Sequence, residues 1–303
     1  MMGYLAQLLM AEPQVALVVA AHPDDETIGA AGLMGRLQRS HVFHLTDGAP
    51  HDRRFWTGAD VRTRADYVRV RRDELARALR VAGIEPSFAS SLGVADLEAA
   101  MAVGAIAQRV ASLLMKYQPS IVVTHAYEGG HPDHDAASCG VWAATHLVVR
   151  AGFTPPPIVE MALYHGNPGQ LVIGQFLPRP GAEPDADIEI VLSEDETWRK
   201  QAMLDCFGSQ AMTLMSFRPI GVERFRLAPE YDFTQPPHPG PLLYEQRNFP
   251  ITGAAWREQA VQGLRALGLL DVKGQARSVS KKLRASSHPG TNPEQSRGGE
   301  AQS

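Results

Sequence analysis

"VALVVAAHPDDETIGAAG", residues 15–32, decides the fold. Residues 15–21 are apolar without interruption, which suits a strand buried on both faces of a parallel sheet. Pro23 ends the run, because the residue before a proline is held in extended geometry. Thr27 is then placed to cap a helix, and Gly29, Gly32 and Gly35 let that helix pack closely on the sheet. His22, Asp24, Asp25 and Glu26 therefore arrive together at the carboxyl end of a strand, where open α/β sheets bind ligands. Several carboxylates buried at one point are costly without a compensating cation, so a metal ion is the expected occupant.

A second turn repeats the first. "YEGGHPDHDAA" (127–137) follows the apolar strand "SIVVTHAY" (120–127) and precedes a helix. Its His131-Pro132-Asp133-His134 echoes His22-Pro23-Asp24-Asp25, and Gly129 and Gly130 allow a tight approach. Two strand ends of one sheet thus aim His-Pro-Asp turns at a shared crevice. The candidate groups are His22, Asp24, Asp25, Glu26, His131, Asp133 and His134. A catalytic zinc site takes about three N/O ligands and keeps one position open. The surplus groups are left as base, acid and orienting partners. Zinc (Zn2+) is expected, and ferrous iron (Fe2+) suits the same donors.

Outward from these turns, strand-like and helix-like runs alternate. "HVFHLTDG" (41–48) predicts a second strand, leading into the polar loop "TDGAPHDRRFWTG". A helix is predicted over 60–82, with Asp60 as N-cap and Gly83 as stop. Further helices are predicted near 99–117 and over 135–150, and a strand at 157–165. This order means an α/β fold, Rossmann-like, with a mostly parallel sheet flanked by helices. After 165 the texture changes to a C-terminal irregular/β extension. Ser193 and Glu196 form a capping box opening a helix to about 215. Residues 219–250, rich in proline and aromatics, predict an extended wrap, and 255–268 a helix. We expect one domain over 1–274 (core 14–165, extension 166–274) and a disordered tail at 275–303, which has little to bury.

The chain of 303 residues is 44% hydrophobic with a net charge of -4, an ordinary globular composition. It has no basic stripe with aromatics, which argues against nucleic acid. Cys139 and Cys206 form no metal motif and are expected as buried thiols. No apolar run reaches membrane-spanning length, and the N-terminus lacks a basic start and cleavage site, so a cytoplasmic location is expected. The sequence leaves a homo-oligomer open.

"AHPDDE" followed about a hundred residues later by "HPDH" resembles the PIG-L/LmbE-like deacetylases, well over 14–165 and loosely to about 268. The resemblance implies a zinc-dependent hydrolase that removes an N-acetyl group from an amino sugar such as N-acetylglucosamine, or its conjugate, giving a free amine and acetate. Carried over by position, it implies His22, Asp25 and His134 as metal ligands and Asp24 as general base. His131 then stabilises the oxyanion or protonates the leaving amine, with Asp133 tuning it. Glu26 caps or orients. Through the Arg-x-x-Glu pattern of Arg71 and Glu74, Arg71 contacts substrate. Asp96 in "LGVADLE" matches a sugar-hydroxyl position, and Asp52 is a weaker candidate of the same kind. Ser209-Gln210 matches a recurrent family feature without an assigned mechanism. Phe55, Trp56 and Tyr127 are expected to pack on a sugar ring. His41, His44, His125, His146 and His165 have no partner motif.

Three other readings compete. One is a zinc amidase acting on another amide, such as a thiol conjugate. Another is a metal-binding protein without activity, which the full set Asp24, His131 and Asp133 argues against. A nucleotide-binding module is disfavoured, since "GAAG" is not G-x-G-x-x-G and the acids repel a pyrophosphate. No G-x-S-x-G supports a serine hydrolase.

Overall fold

A computed structural model describes residues 4–10, 14–56, 60–167, 170–178, 187–218 and 221–271. Its strands are β1 (Val15–Ala20), β2 (Arg39–Pro50), β3 (Ala89–Asp96), β4 (Ile121–His125), β5 (Ile158–Met161), β6 (Tyr164–Asn167), β7 (Gln170–Ile173), β8 (Asp187–Val191) and β9 (Val222–Leu227). Its helices are α1 (Tyr4–Met10), α2 (Asp25–Arg36), α3 (Arg64–Val81), α4 (Val103–Tyr117), α5 (Pro132–Arg150), α6 (Glu194–Leu204), the single turns α7 (Ala211–Leu214) and α8 (Leu243–Gln246), and α9 (Gly253–Ala266).

Seven strands form one sheet in the order β3-β2-β1-β4-β5-β9-β8. The first five run parallel, while β9 pairs antiparallel with both β5 and β8. The mostly parallel α/β sheet expected from the sequence is therefore present, and β6 and β7 make a separate hairpin. Alternate β1 residues feed opposite cores. Leu17 and Val19 pack with α4, α5 and α9, whereas Ala16, Val18 and Ala20 pack with α2, α3 and α6. That two-sided burial explains the unbroken apolar run. The chain leaves β1 toward β2 on one side, and β4 lies on the other, so the β1/β4 crevice is a topological switch point.

Several local expectations change. Helix α2 starts at Asp25 with Asp24 as N-cap, and Thr27 lies inside it, its hydroxyl donating to Glu26 at 2.7 Å. Helix α3 is capped by Thr63, whose side chain accepts from the Asp66 amide, and not by Asp60. Strand β3 lies where no element was predicted and β9 within the expected irregular wrap, and α6 stops at Leu204 after its predicted capping box. Helix α2 is also broken at Ala30 (φ −145°, ψ 15°). Glu223 of β9 fills the break, accepting the Gly32 and Leu33 amides at 2.8 and 3.0 Å, and Lys200 donates to it at 2.8 Å.

Contrary to expectation, one helical stretch, Ala99–Tyr117, is long and apolar enough to cross a membrane. Half of it is buried within the fold, where Val103, Ile106 and Val110 join the core under α5 and α9. Cys139 is buried and Cys206 half-buried, and both are free thiols. The tail expected at 275–303 lies outside the described residues.

Candidate active site

The two His-Pro-Asp turns meet where the sequence aimed them. His22, Asp24 and Asp25 follow β1, and His131, Asp133 and His134 open α5 after β4. They join the end of β3, where Asp96 closes the sheet edge. All are buried except Asp96, which is partly exposed.

Asp25 is the hub. Its Oδ2 accepts the His22 amide at 2.8 Å and lies 3.1 Å from His22 Nδ1, while its Oδ1 lies 3.3 Å from His134 Nε2. Burial pushes the Asp25 carboxyl up, but His134, His125 and His22 outweigh it and hold the group well below the usual carboxylate range. The second nitrogen of His22 faces Asp96 (3.0 Å) and Asp133 (3.2 Å). Burial opposes a charge on His22, yet Asp96 and Asp25 raise it well above its ordinary value. Asp133 is held by the Leu97 and Ala99 amides at 2.7 and 3.0 Å. Its carboxylate thus orients His22, where tuning of His131 was expected.

Two histidines have their lone pairs engaged. The Asp133 amide donates to His131 Nδ1 at 3.2 Å, and the Ala21 amide donates to His125 Nε2 at 2.9 Å. Burial, with His22 and His134 nearby, lowers His131 well below its ordinary value. A neutral His131 with Nδ1 accepting carries its proton on Nε2. His134 Nε2, by contrast, is buried and accepts from no backbone amide among the described residues, with Asp25 Oδ1 3.3 Å away.

Asp24 has a backbone that side chains rarely adopt, with φ 134°. It is clamped from both ends. The Asp24 amide donates to Glu26 Oε2 (3.1 Å), which also meets His44 Nε2 (2.9 Å). The Arg71 guanidinium donates to Asp24 Oδ2 (2.8 Å) and to the Pro23 carbonyl. Burial pushes the Asp24 carboxyl up to about 7, with Arg71 restraining it.

Arg71 is itself only 2% exposed and pairs with Glu74 at 3.3 Å. Its two terminal nitrogens are engaged by Glu74, the Pro23 carbonyl and Asp24, and the residue also borders the active-site cleft, where substrate contact was expected. Glu74 in turn accepts the Ser209 amide and hydroxyl, both at 2.7 Å. Gln210 donates to the Tyr67 hydroxyl at 2.9 Å. The Ser209-Gln210 pair thereby joins the network behind Asp24.

A cleft of about 560 Å3 opens over His22, Asp24, Asp25 and His131. Phe55 and Asp96 line it, as expected of pocket residues. Asp52 does not: it caps the turn at Arg53–Phe55 and accepts from Arg54 at 2.8 and 2.6 Å. Tyr127 is buried against Trp256 and Phe233, its hydroxyl donating to the Gln235 carbonyl, and Trp56 stacks on Tyr67. Neither lines the cleft.

Among the described residues, ligand-capable atoms lie within 4.8 Å of one another in three sets: His22–His131–His134, Asp25–His125–His134 and His22–Asp96–Asp133. The expected trio His22, Asp25 and His134 draws on the first two and is linked through Asp25. His125, which stands in no recognisable motif, stacks on His134 with ring centroids 4.0 Å apart. His44, likewise outside any motif, supports Glu26.

Residues 17–145 match the protein-family model described as PIG-L: GlcNAc-PI de-N-acetylase. Comparison with curated protein sequences gave no match. Among solved structures, the fold is similar to that of an antimicrobial reagent A40926 pseudoaglycone deacetylase, with TM-score 0.52 and 20% identity over 73% of this chain and 100% of that one. It is also similar to a teicoplanin deacetylase solved in a zinc inhibited form, with TM-score 0.51 and 16% identity over 70% of this chain and 97% of that one.

Proposed function

From the premise that residues 17–145 are a PIG-L domain, we propose that the protein is a divalent-metal hydrolase removing the acetyl group of a 2-acetamido sugar or its conjugate. The observation that carries this reading is the Asp25 carboxylate reaching both His22 and His134 with Asp24 beside it. We take residues 1–274 as one catalytic domain, since β8 and β9 extend the sheet that β1 begins.

The donor set fits a cation. Asp25, Asp96 and Asp133 surround His22, a concentration of negative charge that favours added positive charge. His134 Nε2 is buried, accepts from no backbone amide among the described residues and faces the Asp25 carboxylate at 3.3 Å. His131 and His125 each accept a backbone amide at one ring nitrogen, so His22, Asp25 and His134 are the ligands that fit best. The His22 nitrogen facing Asp133 supplies the carboxylate–histidine support common at such sites. Zinc suits this set, as does ferrous iron.

A divalent cation held by His22, Asp25 and His134 would supply Lewis acidity and a water of lowered pKa, toward roughly 7. Asp24 accepts the proton of the attacking water and later delivers it to the leaving amine. His131, through Nε2–H, donates to the oxyanion developing on the acetyl oxygen. Arg71, Glu74 and Ser209 hold Asp24, and Glu26 with His44 holds its backbone. Arg71 and Asp133 are thus positioning residues, and the aromatic edge at Phe55 is left for the sugar face.

The test is acetate release by purified protein reloaded with zinc, ferrous iron or cobalt. The substrates are N-acetylglucosamine, a conjugate of it, and an N-acetyl amino acid. Zinc is titrated from substoichiometric amounts, because one structural neighbour is described in a zinc inhibited form. Acetate from the sugars above the amino acid supports the reading. Preference for the amino acid overturns the sugar assignment, and no turnover with any metal overturns the hydrolase.

A further inference from the structure

Just before the second His-Pro-Asp turn stands a buried carboxylate that takes no part in the chemistry above. Glu128 is 5% exposed and lies between β4 and His131. Its Oε1 accepts the Leu177 amide at 2.8 Å and a terminal nitrogen of Arg226 at 3.0 Å. Arg226 is buried too. It donates to Glu160 Oε2 at 2.6 Å and to the Tyr231 hydroxyl at 3.1 Å, and its guanidinium lies 4.1 Å from the centre of the Phe176 ring. Two buried carboxylates on one buried cation are costly to desolvate. What the network secures is one fixed position for the Glu128 side chain.

That position is in the wall of a cavity of about 10 Å3, lined also by His125, Gly130, His134 and Tyr164. The volume is room for one water molecule. His134 lines this cavity and not the catalytic cleft. It turns Nε2 toward Asp25 Oδ1, which leaves Nδ1. Among the described residues, no hydrogen bond joins Nδ1 to the protein. His125 accepts the Ala21 amide at Nε2, so in its neutral form it carries its proton on Nδ1. A metal-ligating histidine gives the N–H of its other nitrogen to a carboxylate, a carbonyl or a water.

We propose that Glu128 is a positioning residue for the metal ligand His134, acting through one water in this cavity that accepts from the Nδ1–H of His134 and of His125 and donates to Glu128 Oε2. It rests on the metal-site reading above. The hydrogens balance: the two N–H groups fill the water's lone pairs, and one of its own hydrogens goes to the carboxylate. With Oε1 committed to Leu177 and Arg226, Oε2 is the oxygen left for the cavity. His125, stacked on His134 at 4.0 Å, supplies the second donor. Glu128 thereby does for His134 what Asp133 does for His22: it fixes the ring and strengthens the ligand as a donor to the cation.

The experiment measures zinc affinity of the full chain by chelator competition, with the melting temperature beside it, for wild type, Glu128→Gln, Glu160→Gln and His134→Ala. Glu128→Gln and Glu160→Gln each take one carboxylate from Arg226, so both lower the melting temperature. Only Glu128→Gln alters the cavity, and it weakens zinc binding by about 10–100-fold, while Glu160→Gln keeps the wild-type affinity. Wild-type affinity in Glu128→Gln overturns the proposal, as does an equal loss in both variants, which makes Glu128 merely structural. Wild type alone gives a second reading. In zinc-loaded protein with isotope-labelled histidine, the His134 Nδ1–H proton shows cross-relaxation with water. Its absence overturns the bridge. Unchanged zinc affinity in His134→Ala overturns the metal assignment itself, a failure distinct from loss of the bridge.

Discussion

Arg71 on α3 donates to the Asp24 carboxylate at 2.8 Å from a position 2% exposed, with Glu74 and Ser209 on its other side. The guanidinium works against burial, which together with the neighbouring Asp25 drives the Asp24 carboxyl upward. A base acts deprotonated, so kcat/KM rises with pH through the Asp24 pKa. That limb lies at or below about 7, since a bound cation also favours the carboxylate. Arg71→Gln moves the limb to higher pH and lowers the rate at neutral pH, by about tenfold per pH unit of displacement. Arg71→Lys keeps most of the charge and restores the limb. A pH–rate profile unchanged in Arg71→Gln counts against the assigned role.

Glu74 matters for stability through the same network. Glu74→Ala leaves Arg71 with one fewer carboxylate and Ser209 without its acceptor. Breaking a buried pair in this way costs about 3–5 kcal/mol. Urea unfolding should show it as a lower midpoint. A midpoint equal to wild type would remove Glu74 from the support of the site.

Glu223→Ala tests the broken helix. It removes the acceptor of the Gly32 and Leu33 amides and strands the buried Lys200. We expect a loss of about 3–5 kcal/mol, part of it regained when Lys200→Met is added. If the double variant is less stable than Glu223→Ala alone, the stranded cation is not the cause.

Gly130→Ala should weaken the second His-Pro-Asp turn. An added Cβ there would overlap the Tyr164 carbonyl, a backbone group that cannot swing aside. The expected outcome is a lower melting temperature together with weaker metal binding, because His131 and His134 follow directly. Normal values for both would show that the turn has slack.

What could be read from the sequence followed from how each segment is buried. Strands β1 and β4 lie in the sheet centre, so their apolar runs announced them, and the two motifs named their own ends. Strand β3 is an edge strand of small and polar residues, mostly half-exposed, and carries no such run. Strand β9 hides its identity behind Glu223 and Arg226, charges buried only because Lys200, Glu160 and Glu128 meet them. The same holds within the site. His22, Asp25 and His134 stand in motifs, but the jobs of Arg71, Asp133 and Ser209 depend on partners 47 to 138 residues away. The positive φ of Asp24 has no signature in residue type at all.

The central claim is that Asp24 does chemistry while His22, Asp25 and His134 hold the cation. Measuring metal content and acetate release on the same Asp24→Asn preparation tests it most directly. The account predicts a cation at wild-type stoichiometry and turnover reduced by about 10²–10⁴-fold. Near-normal turnover, or loss of the metal along with the activity, would contradict it.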